Sequence, residues 1–299
     1  MSVLAAPSRP RSDGKTLPIL VVVAAILVLW YAAAVPMNWQ TTVDRLERAG
    51  TETTTAQTIA ATWAAERPVL PAPHQIVAEI WKTTAMVKPT SPRSLLFHGW
   101  VTLSSTLVGF VIGTALGALL AVGIVHSRTL DKSLMPWIIT SQTIPILAVA
   151  PMVIVVLNSV GIQGLFPKAV ISTYLSFFPV AVGMVKGLRS PDVLQLDLMR
   201  TYGASGRQVL AKLRMPASLP FLFASMKIAV AAALVGAIVG ELPTGAVAGL
   251  GARLLAGSYY GQTIQIWSAL VVAAAMAGAL VGLVSLGERW ILRRMGALR

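Results

Sequence analysis

The chain has 299 residues, of which 56% are hydrophobic and only 12% are charged. Soluble domains carry roughly 25% charged residues, so this composition is typical of an integral membrane protein. The formal net charge of +13 would suit nucleic-acid binding, but the basic residues lie between apolar segments rather than on one soluble surface, which excludes that class. The absence of cysteine excludes disulfides, cysteine-ligated metals and thiol catalysis.

Six apolar segments are long enough to cross a bilayer, because a hydrocarbon core of about 30 Å needs roughly 20 helical residues. They are predicted at Leu17–Val35, Leu103–Val125, Met135–Leu157, Leu165–Val185, Leu219–Val239 and Ile266–Leu286. The first segment is longer than the roughly 7–15-residue apolar core of a signal peptide, so we expect an uncleaved anchor. The sequence therefore predicts an all-α integral membrane protein with about six transmembrane helices.

Lysine and arginine residues are concentrated in alternate connecting segments, which predicts the orientation of the chain. Four segments together carry 15 basic residues, and they are residues 1–16, 126–134, 186–217 and 288–299. The short connections 158–164 and 240–265 carry one, Arg253. This bias predicts that both termini lie in the cytoplasm and that 186–217 is the largest internal connection.

The second predicted span has a glycine at every fourth position, Gly109, Gly113 and Gly117. Residues four apart share one face of a helix, and small residues there allow a neighbouring helix to approach closely. We interpret this face as a packing surface.

The third predicted span is interrupted by Pro136, Pro145 and Pro151. Each proline removes a helical hydrogen bond, and broken backbone at membrane depth is tolerated only beside protein or a water-filled cavity. Polar residues of the third and fourth spans therefore predict a translocation path, with a kinked structural helix as the alternative. The predicted path residues are Thr140, Gln142, Thr143, Pro145, Ser172, Tyr174 and Ser176.

Two ionisable residues of the fifth span need partners. Lys227 lies eight residues into the span, where a structural role is favoured over binding of an anionic substrate. Glu241 lies at the outer end and is expected to pair with Arg253 or to hold the outer loop. Gly249 and Gly251 allow a tight or re-entrant path for that loop, so these residues are assigned structural or gating roles.

Residues 190–216 predict a helix–glycine–helix elbow. Ser190 is expected to cap the first helix, Pro191 suits its first position, and Gly203 supplies a left-handed turn that ends it. Ser205 is expected to cap the second helix. The first helix is too apolar to face only water, which predicts a protein partner or the protein's own inner surface; its apolar residues are Val193, Leu194, Leu196, Leu198 and Met199.

The spacing within this elbow resembles the coupling motif of ATP-binding-cassette (ABC) importer permeases. In that family Glu-Ala-Ala is followed after three residues by Gly, and nine residues later by Ile-x-Leu-Pro. The corresponding residues are Asp197, Leu198 and Met199, then Gly203 followed by Ala204, then Leu213 to Pro216. The segments PWIITSQTIPILAVAPMVIVVLNSVG, ASMKIAVAAALVGAIVGEL, LPAP and AGLG look like the sulfonate/nitrate/taurine branch, so the resemblance covers roughly residues 70–290.

The resemblance implies the type I (MetI-like) importer permease fold in a bacterial inner membrane. It implies a cytoplasmic tail (1–16), a first transmembrane helix (17–35), a periplasmic segment with a short amphipathic helix (36–102), a five-helix core with the elbow at 190–216 (103–287) and a cytoplasmic tail (288–299). It also implies a cytoplasmic ATPase dimer, a periplasmic binding protein and a second permease copy as partners. The solute would be small and polar or anionic, such as a sulfonate, nitrate, taurine or a pyrimidine.

The chain itself is expected to bind no cofactor, with ATP and Mg on the partner ATPase, because it has no G-x-x-x-x-G-K-[ST] phosphate loop. An ion-coupled secondary transporter is the main alternative, and it predicts functional intramembrane carboxylates, for which only Glu241 is a candidate. An integral membrane enzyme would need clustered His, Asp or Glu at membrane depth, and the sequence has no such cluster.

Overall fold

The computed structural model describes residues 16–50, 54–243 and 247–296, and all regular structure within these ranges is helical. The helices are α1 Thr16–Arg48, α2 Thr55–Trp63, α3 Pro73–Ala85, α4 Leu95–His126, α5 Arg128–Ser141, α6 Ile146–Ser159, α7 Leu165–Leu188, α8 Val193–Thr201, α9 Gly206–Val209, α10 Met215–Gly240, α11 Leu250–Tyr259 and α12 Thr263–Arg294. A π-helical turn, Leu210–Arg214, joins α9 to α10. Residues 1–15 of the predicted N-terminal tail lie outside the described residues, as do 297–299. The C-terminal tail predicted at 288–299 is wrong in its first part, because α12 continues as a helix to Arg294. The chain divides into two compact units between Ala78 and Glu79.

The first unit is organised around α1, which continues through Pro36 to Arg48 rather than ending at the predicted Val35. Asn38 is fully buried, and its side chain donates to Leu70 O at 2.8 Å and accepts from Val69 N at 2.7 Å. One amide thus satisfies backbone groups of the segment that precedes α3, which explains how this irregular stretch is held against a helix.

Five of the six predicted membrane spans are confirmed as continuous helices long and apolar enough to cross a bilayer, and the third corresponds to a bent pair of helices. The long apolar helices are α1, α4, α7, the run Gly206–Gly240 and α12. The third predicted span forms α5 and α6, whose axes differ by 99°. Its break follows Ser141 and ends at Pro145, which begins α6 as its N-cap residue and has no N–H to continue the preceding helix.

Helices α4 and α7 pack closely along the predicted glycine face. A methyl group added at Gly109 would overlap Ser172, and one added at Gly113 would overlap Ser176. Gly109 O also accepts hydrogen bonds from Thr173 Oγ1 and Ser176 Oγ, each at 3.2 Å. The packing interpretation of this face is therefore confirmed.

The second unit is a bundle with two ends that differ in character. At one end the first turns of α4 and α7 meet the last turn of α10 and the segment after it; we call this the loop end. At the other end the last turns of α4 and α7 lie beside the first turns of α10; we call this the elbow end, since α8 is attached there. Apolar clusters lie between the two ends, one of which includes Phe110, Val180, Val230 and Leu280.

Candidate functional site

The elbow begins two residues later than expected. The N-cap of α8 is Asp192, whose N–H donates to Gln195 Oε1 at 3.2 Å. Ser190 instead donates its hydroxyl to Gly187 O at 2.7 Å and so completes the end of α7, and Pro191 precedes the helix. The predicted N-cap was therefore wrong. The Ser190 hydroxyl binds a carbonyl of the preceding helix, and Asp192 is the N-cap residue of α8 instead.

The turn after α8 has the geometry that ends a helix at glycine. Gly203 has φ of +63°, Ala204 N donates to Met199 O at 3.0 Å, and Gly203 N donates to Arg200 O at 2.9 Å. These two bonds are those of a Schellman motif, which satisfies the last carbonyls of the helix. Ser205 then caps α9, accepting from Gln208 N at 3.4 Å, as its position in the sequence predicted.

One stripe of the solvent-exposed surface of α8 is apolar. No side chain within Val193–Thr201 is buried, and the exposed fractions are 77% for Leu194, 56% for Leu198 and 79% for Tyr202 at the helix end. These three residues are spaced four apart and therefore form one stripe. Asp197 forms an ion pair within the same helix, with Oδ1 lying 2.9 Å from Arg200 Nη1. An exposed apolar stripe on a short polar connection is typical of a protein-docking surface.

The second helix of the elbow is continuous with α10. Leu213 lies in the π-helical turn, and Pro216 follows in the first turn of α10. Pro216 has no N–H for the carbonyl four residues earlier, so a widened turn directly before it accommodates the missing bond. The helical path therefore continues from Gly206 to Gly240 and connects the elbow to the loop end.

The break between α5 and α6 lies beside the middle of α7. Tyr174 donates its hydroxyl to Ser141 O, which also accepts from Ile144 N at 3.4 Å, and so fixes the end of α5 to α7. Thr140 and Thr143 are exposed at the break, and Gln142 is half-buried. The Thr143 hydroxyl donates to Thr140 O at 2.8 Å, so these two threonines form a polar exposed surface at the break.

Two of the predicted path residues lie elsewhere. Ser172 and Ser176 are fully buried and face the glycine face of α4. Their small side chains are accounted for by this close packing, whereas Thr140, Gln142, Thr143 and Pro145 line the break itself.

A buried polar network fixes the loop end. Glu241 is fully buried directly after α10, and its carboxylate accepts from Thr102 Oγ1 at 2.9 Å and from Gly251 N at 2.9 Å. Lys168 Nζ lies 3.7 Å from the same carboxylate and donates to Ala248 O at 3.0 Å. Burial raises the pKa of Glu241 to about 7, while Gly251 N–H and Lys168 act in the opposite direction.

The same network binds the backbone that enters α11. Leu250 N donates to Thr102 Oγ1 at 2.8 Å, and Gly249 N donates to His98 Nδ1 at 3.0 Å. His98 Nδ1 therefore accepts, so Nε2 carries the proton and donates to Pro92 O at 2.9 Å. Gly249 has φ of +125°, and a methyl group there would overlap the Glu241 carboxylate.

The partners of the ionisable residues differ in part from expectation. Glu241 holds the outer loop, which was one of the two alternatives, but it does not pair with Arg253. Arg253 lies instead 3.8 Å from Glu79 of α3. Lys227 pairs with Glu288 of α12, which gives it a structural partner inside the protein. Sequence reasoning missed four residues whose roles depend on contacts between distant segments: Thr102, His98, Lys168 and Glu288.

A cavity of about 550 Å³ lies beside this network at the loop end. Trp100 and Ser104 of α4, Asn158 of α6 and Lys168 of α7 supply its aromatic and polar lining. The cavity thus borders the residues that hold the segment entering α11.

Comparison with known proteins identifies relatives of the chain. The family model described as "binding-protein-dependent transport system inner membrane component" matches residues 113–296. The riboflavin transport system permease protein of Chloroflexus aurantiacus is 31% identical over 225 residues, which cover 75% of this chain and 80% of that protein. The formylaminopyrimidine transport permease protein of Halalkalibacterium halodurans is 32% identical over 184 residues, or 61% of this chain and 68% of that protein.

Among solved structures, the chain resembles one from the inward-facing MetNI methionine ABC transporter. The TM-score is 0.58 at 22% sequence identity, and the match covers 72% of this chain and 100% of that chain. The MetI-like fold expected from the sequence is therefore confirmed.

Proposed function

The chain belongs to the family of binding-protein-dependent transport system inner membrane components and is an ABC importer permease subunit; we propose that it forms the path for a small polar organic or anionic solute. Within this proposal, α8 receives the movement of a cytoplasmic ATPase, and the broken α5–α6 pair lines the path. Substrate is delivered at the loop end by a periplasmic binding protein.

The exposed stripe of α8 is the single observation that carries the coupling role. Leu194, Leu198 and Tyr202 are more than half exposed on a helix that the Gly203 turn and the π-helical turn connect firmly to α10. An apolar surface in this position needs a protein to cover it, and the energy for transport has to come from a partner, since the sequence has no phosphate loop of its own.

Support for the path comes from the break at Gln142–Pro145. A helix pair bent by 99°, with Thr140 and Thr143 exposed at the break, is tolerated in a membrane only beside protein or water. A second copy of the permease would enclose this surface. The lining is rich in hydroxyl and amide groups, which suits a neutral polar or singly charged solute better than a highly charged one.

The substrate class rests on the relatives as well as on the lining. The two relatives described above are named as permeases for riboflavin and for a formylaminopyrimidine, and a further one, from Bacillus subtilis, is named as an aliphatic sulfonate permease. We place this chain with the same range of small heterocyclic and anionic solutes. In keeping with the charge bias of its loops, both termini face the cytoplasm of a bacterial inner membrane.

The test is co-purification followed by reconstitution. The tagged chain would be purified from its native membranes in mild detergent, and its partners identified by mass spectrometry. We expect an ATPase with a phosphate loop and a second permease copy, and we expect the L194A/L198A variant to lose the ATPase. The matched control is W81A, which removes a 63% exposed apolar side chain outside the elbow.

Reconstitution would then identify the solute. Proteoliposomes containing the complex would be assayed for ATP hydrolysis stimulated by the binding protein loaded with candidate heterocycles, sulfonates and nitrate. Stimulation by one of these supports the proposed solute class. Uptake driven by an ion gradient without any ATPase would overturn the proposed function and direct attention to Glu241.

A further inference from the structure

The outer face of α12 is apolar along most of the helix and basic at its elbow end. Leu283 and Leu286 are 63% and 61% exposed and share this face with Trp290, which is 57% exposed. Three or four residues separate each from the next, as required for neighbours on one side of a helix. The same face continues into Arg293 and Arg294, both exposed.

A cluster of three arginines surrounds the tryptophan. A shallow groove of about 420 Å³ is lined by Leu286, Arg289, Trp290, Arg293 and Arg294. The Arg294 guanidinium carbon lies 4.1 Å from the centre of a Trp290 ring, a cation–π contact that holds both side chains in place. Within residues 16–50, 54–243 and 247–296, none of the three arginines has a carboxylate within 4.0 Å.

The opposite face of the same helical segment packs against the rest of the bundle. Leu292 is buried, and Glu288 is paired with Lys227 of α10. The acidic group nearest in sequence to the arginines is therefore directed into the bundle. The arginine cluster is left as a surface with excess positive charge directly beyond an apolar stripe.

We propose that this surface, which we call the α12 basic groove, binds the phosphate of an anionic phospholipid headgroup. Three features specify the ligand. The arginines supply planar donors for phosphate oxygens, Trp290 is a residue type enriched at the headgroup level, and Leu283 and Leu286 lie where acyl chains would run.

A soluble phosphate compound would use only part of this surface. It would contact the arginines but leave Leu283, Leu286 and the Trp290 ring exposed to water. The rise between Leu286 and Arg289 is about 4.5 Å along the helix, which is the short step expected between hydrocarbon and headgroup layers. The continuity of apolar and basic surface thus favours a lipid.

Native mass spectrometry of the full-length chain with its co-purified partners tests the proposal. The complex would be titrated with palmitoyl-oleoyl phosphatidylglycerol or phosphatidylcholine, and retained lipid counted. We expect the R289Q/R293Q/R294Q variant to lose phosphatidylglycerol selectively, by about fivefold in affinity per arginine and on the order of a hundredfold in total. R289K/R293K/R294K keeps the charge but loses the planar donors, so we expect it to bind phosphatidylglycerol more tightly than the glutamine variant and more weakly than the parent.

The control variant R128Q/K132Q/R207Q removes three exposed charges elsewhere on the elbow side, and we expect it to keep the lipid. An equal loss of phosphatidylglycerol in this control would show that the lipid is attracted by the overall positive charge of the protein, and it would overturn the proposed site. Equal retention of phosphatidylcholine, or displacement by glycerol phosphate at the concentrations of lipid used, would overturn the lipid assignment. A photo-cross-linker placed at Trp290 is expected to label lipid, and cross-linking to a protein chain in its place would also overturn it.

Discussion

Thr102 of α4 donates its hydroxyl to the carboxylate of Glu241, 139 residues later in the chain, at 3.0 and 2.9 Å from the two oxygens. The same hydroxyl accepts from Leu250 N. One threonine therefore joins the first turns of α4, the end of α10 and the start of α11. This contact makes the segment before α11 part of the bundle rather than a loose connection.

Replacing Thr102 by valine is expected to lower the free energy of unfolding by about 2–4 kcal/mol, because it leaves Leu250 N–H unpaired and removes a bond to a charged group. The matched control is T106V. Thr106 is also fully buried on α4, but its hydroxyl donates only to Thr102 O within its own helix, so we expect a loss of about 0.5 kcal/mol. Unfolding in mixed SDS micelles, followed by tryptophan fluorescence, measures both. Equal losses would contradict the role of the network.

The α4–α7 contact gives a second prediction. G113A is expected to lower the free energy of unfolding by about 1–3 kcal/mol, because the new methyl group would overlap Ser176 Oγ. Adding S176A should restore part of the loss, since it removes Oγ and the atoms next nearest to the new methyl group, Phe177 N and the Cβ of residue 176, lie 3.1 Å away. G278A is the control: an added methyl group on α12 there has no neighbour within 4 Å, so it should be neutral or stabilise by up to about 1 kcal/mol. Failure of S176A to compensate would mean that the helices are not this close.

The elements that sequence analysis predicted well are those governed by local chemistry. Gly203 adopts the left-handed turn because glycine tolerates positive φ, and Ser205 caps the next helix through its own side chain. The glycine repeat of α4 could be recognised from its period alone. Pro145 marks the break in the third span, because it has no N–H to donate to a carbonyl of the preceding turn.

The elements that sequence analysis missed depend on contacts between distant segments. Thr102 and Lys168 look like an ordinary helical threonine and an ordinary end-of-span lysine, and only folding brings them to Glu241. Glu288 was assigned to the C-terminal tail, although it pairs with Lys227. Ser190 was predicted to cap the start of α8, but its hydroxyl donates to Gly187 O at the end of α7. A serine side chain can serve either role, and its sequence position alone did not decide between them.

The Lys227–Glu288 pair gives a third prediction, which concerns α10 and α12. The side chains are 31% and 19% exposed, so removing one charge leaves a poorly solvated partner. K227M or E288Q alone is expected to cost about 2 kcal/mol in unfolding free energy, and the double variant less than the sum. The coupling energy, measured in the same SDS assay, should reach about 1–3 kcal/mol. Additive losses would show that the two residues act independently.

The turn at Gly203 gives the last prediction, which separates coupling from folding. Its φ of +63° is strained for a β-branched residue, and a side chain there has open space, so G203V changes the direction of α8 without a clash. We expect G203V to hydrolyse more ATP for each solute transported, and G203N to stay close to the parent because asparagine tolerates this backbone conformation. The ratio of ATP hydrolysis to uptake in proteoliposomes measures this.

Gly296 provides the matched control for Gly203. It also ends a helix, α12, with φ of +70° and open space around it, so G296V imposes the same kind of local strain at the end of a different helix. If the elbow transmits movement, G296V should leave the ratio of hydrolysis to uptake unchanged while G203V raises it. A similar rise in both variants would assign the effect to general destabilisation. Normal coupling in G203V, with the ATPase still bound, would remove α8 from the transmission path, because the helix could then be redirected without consequence.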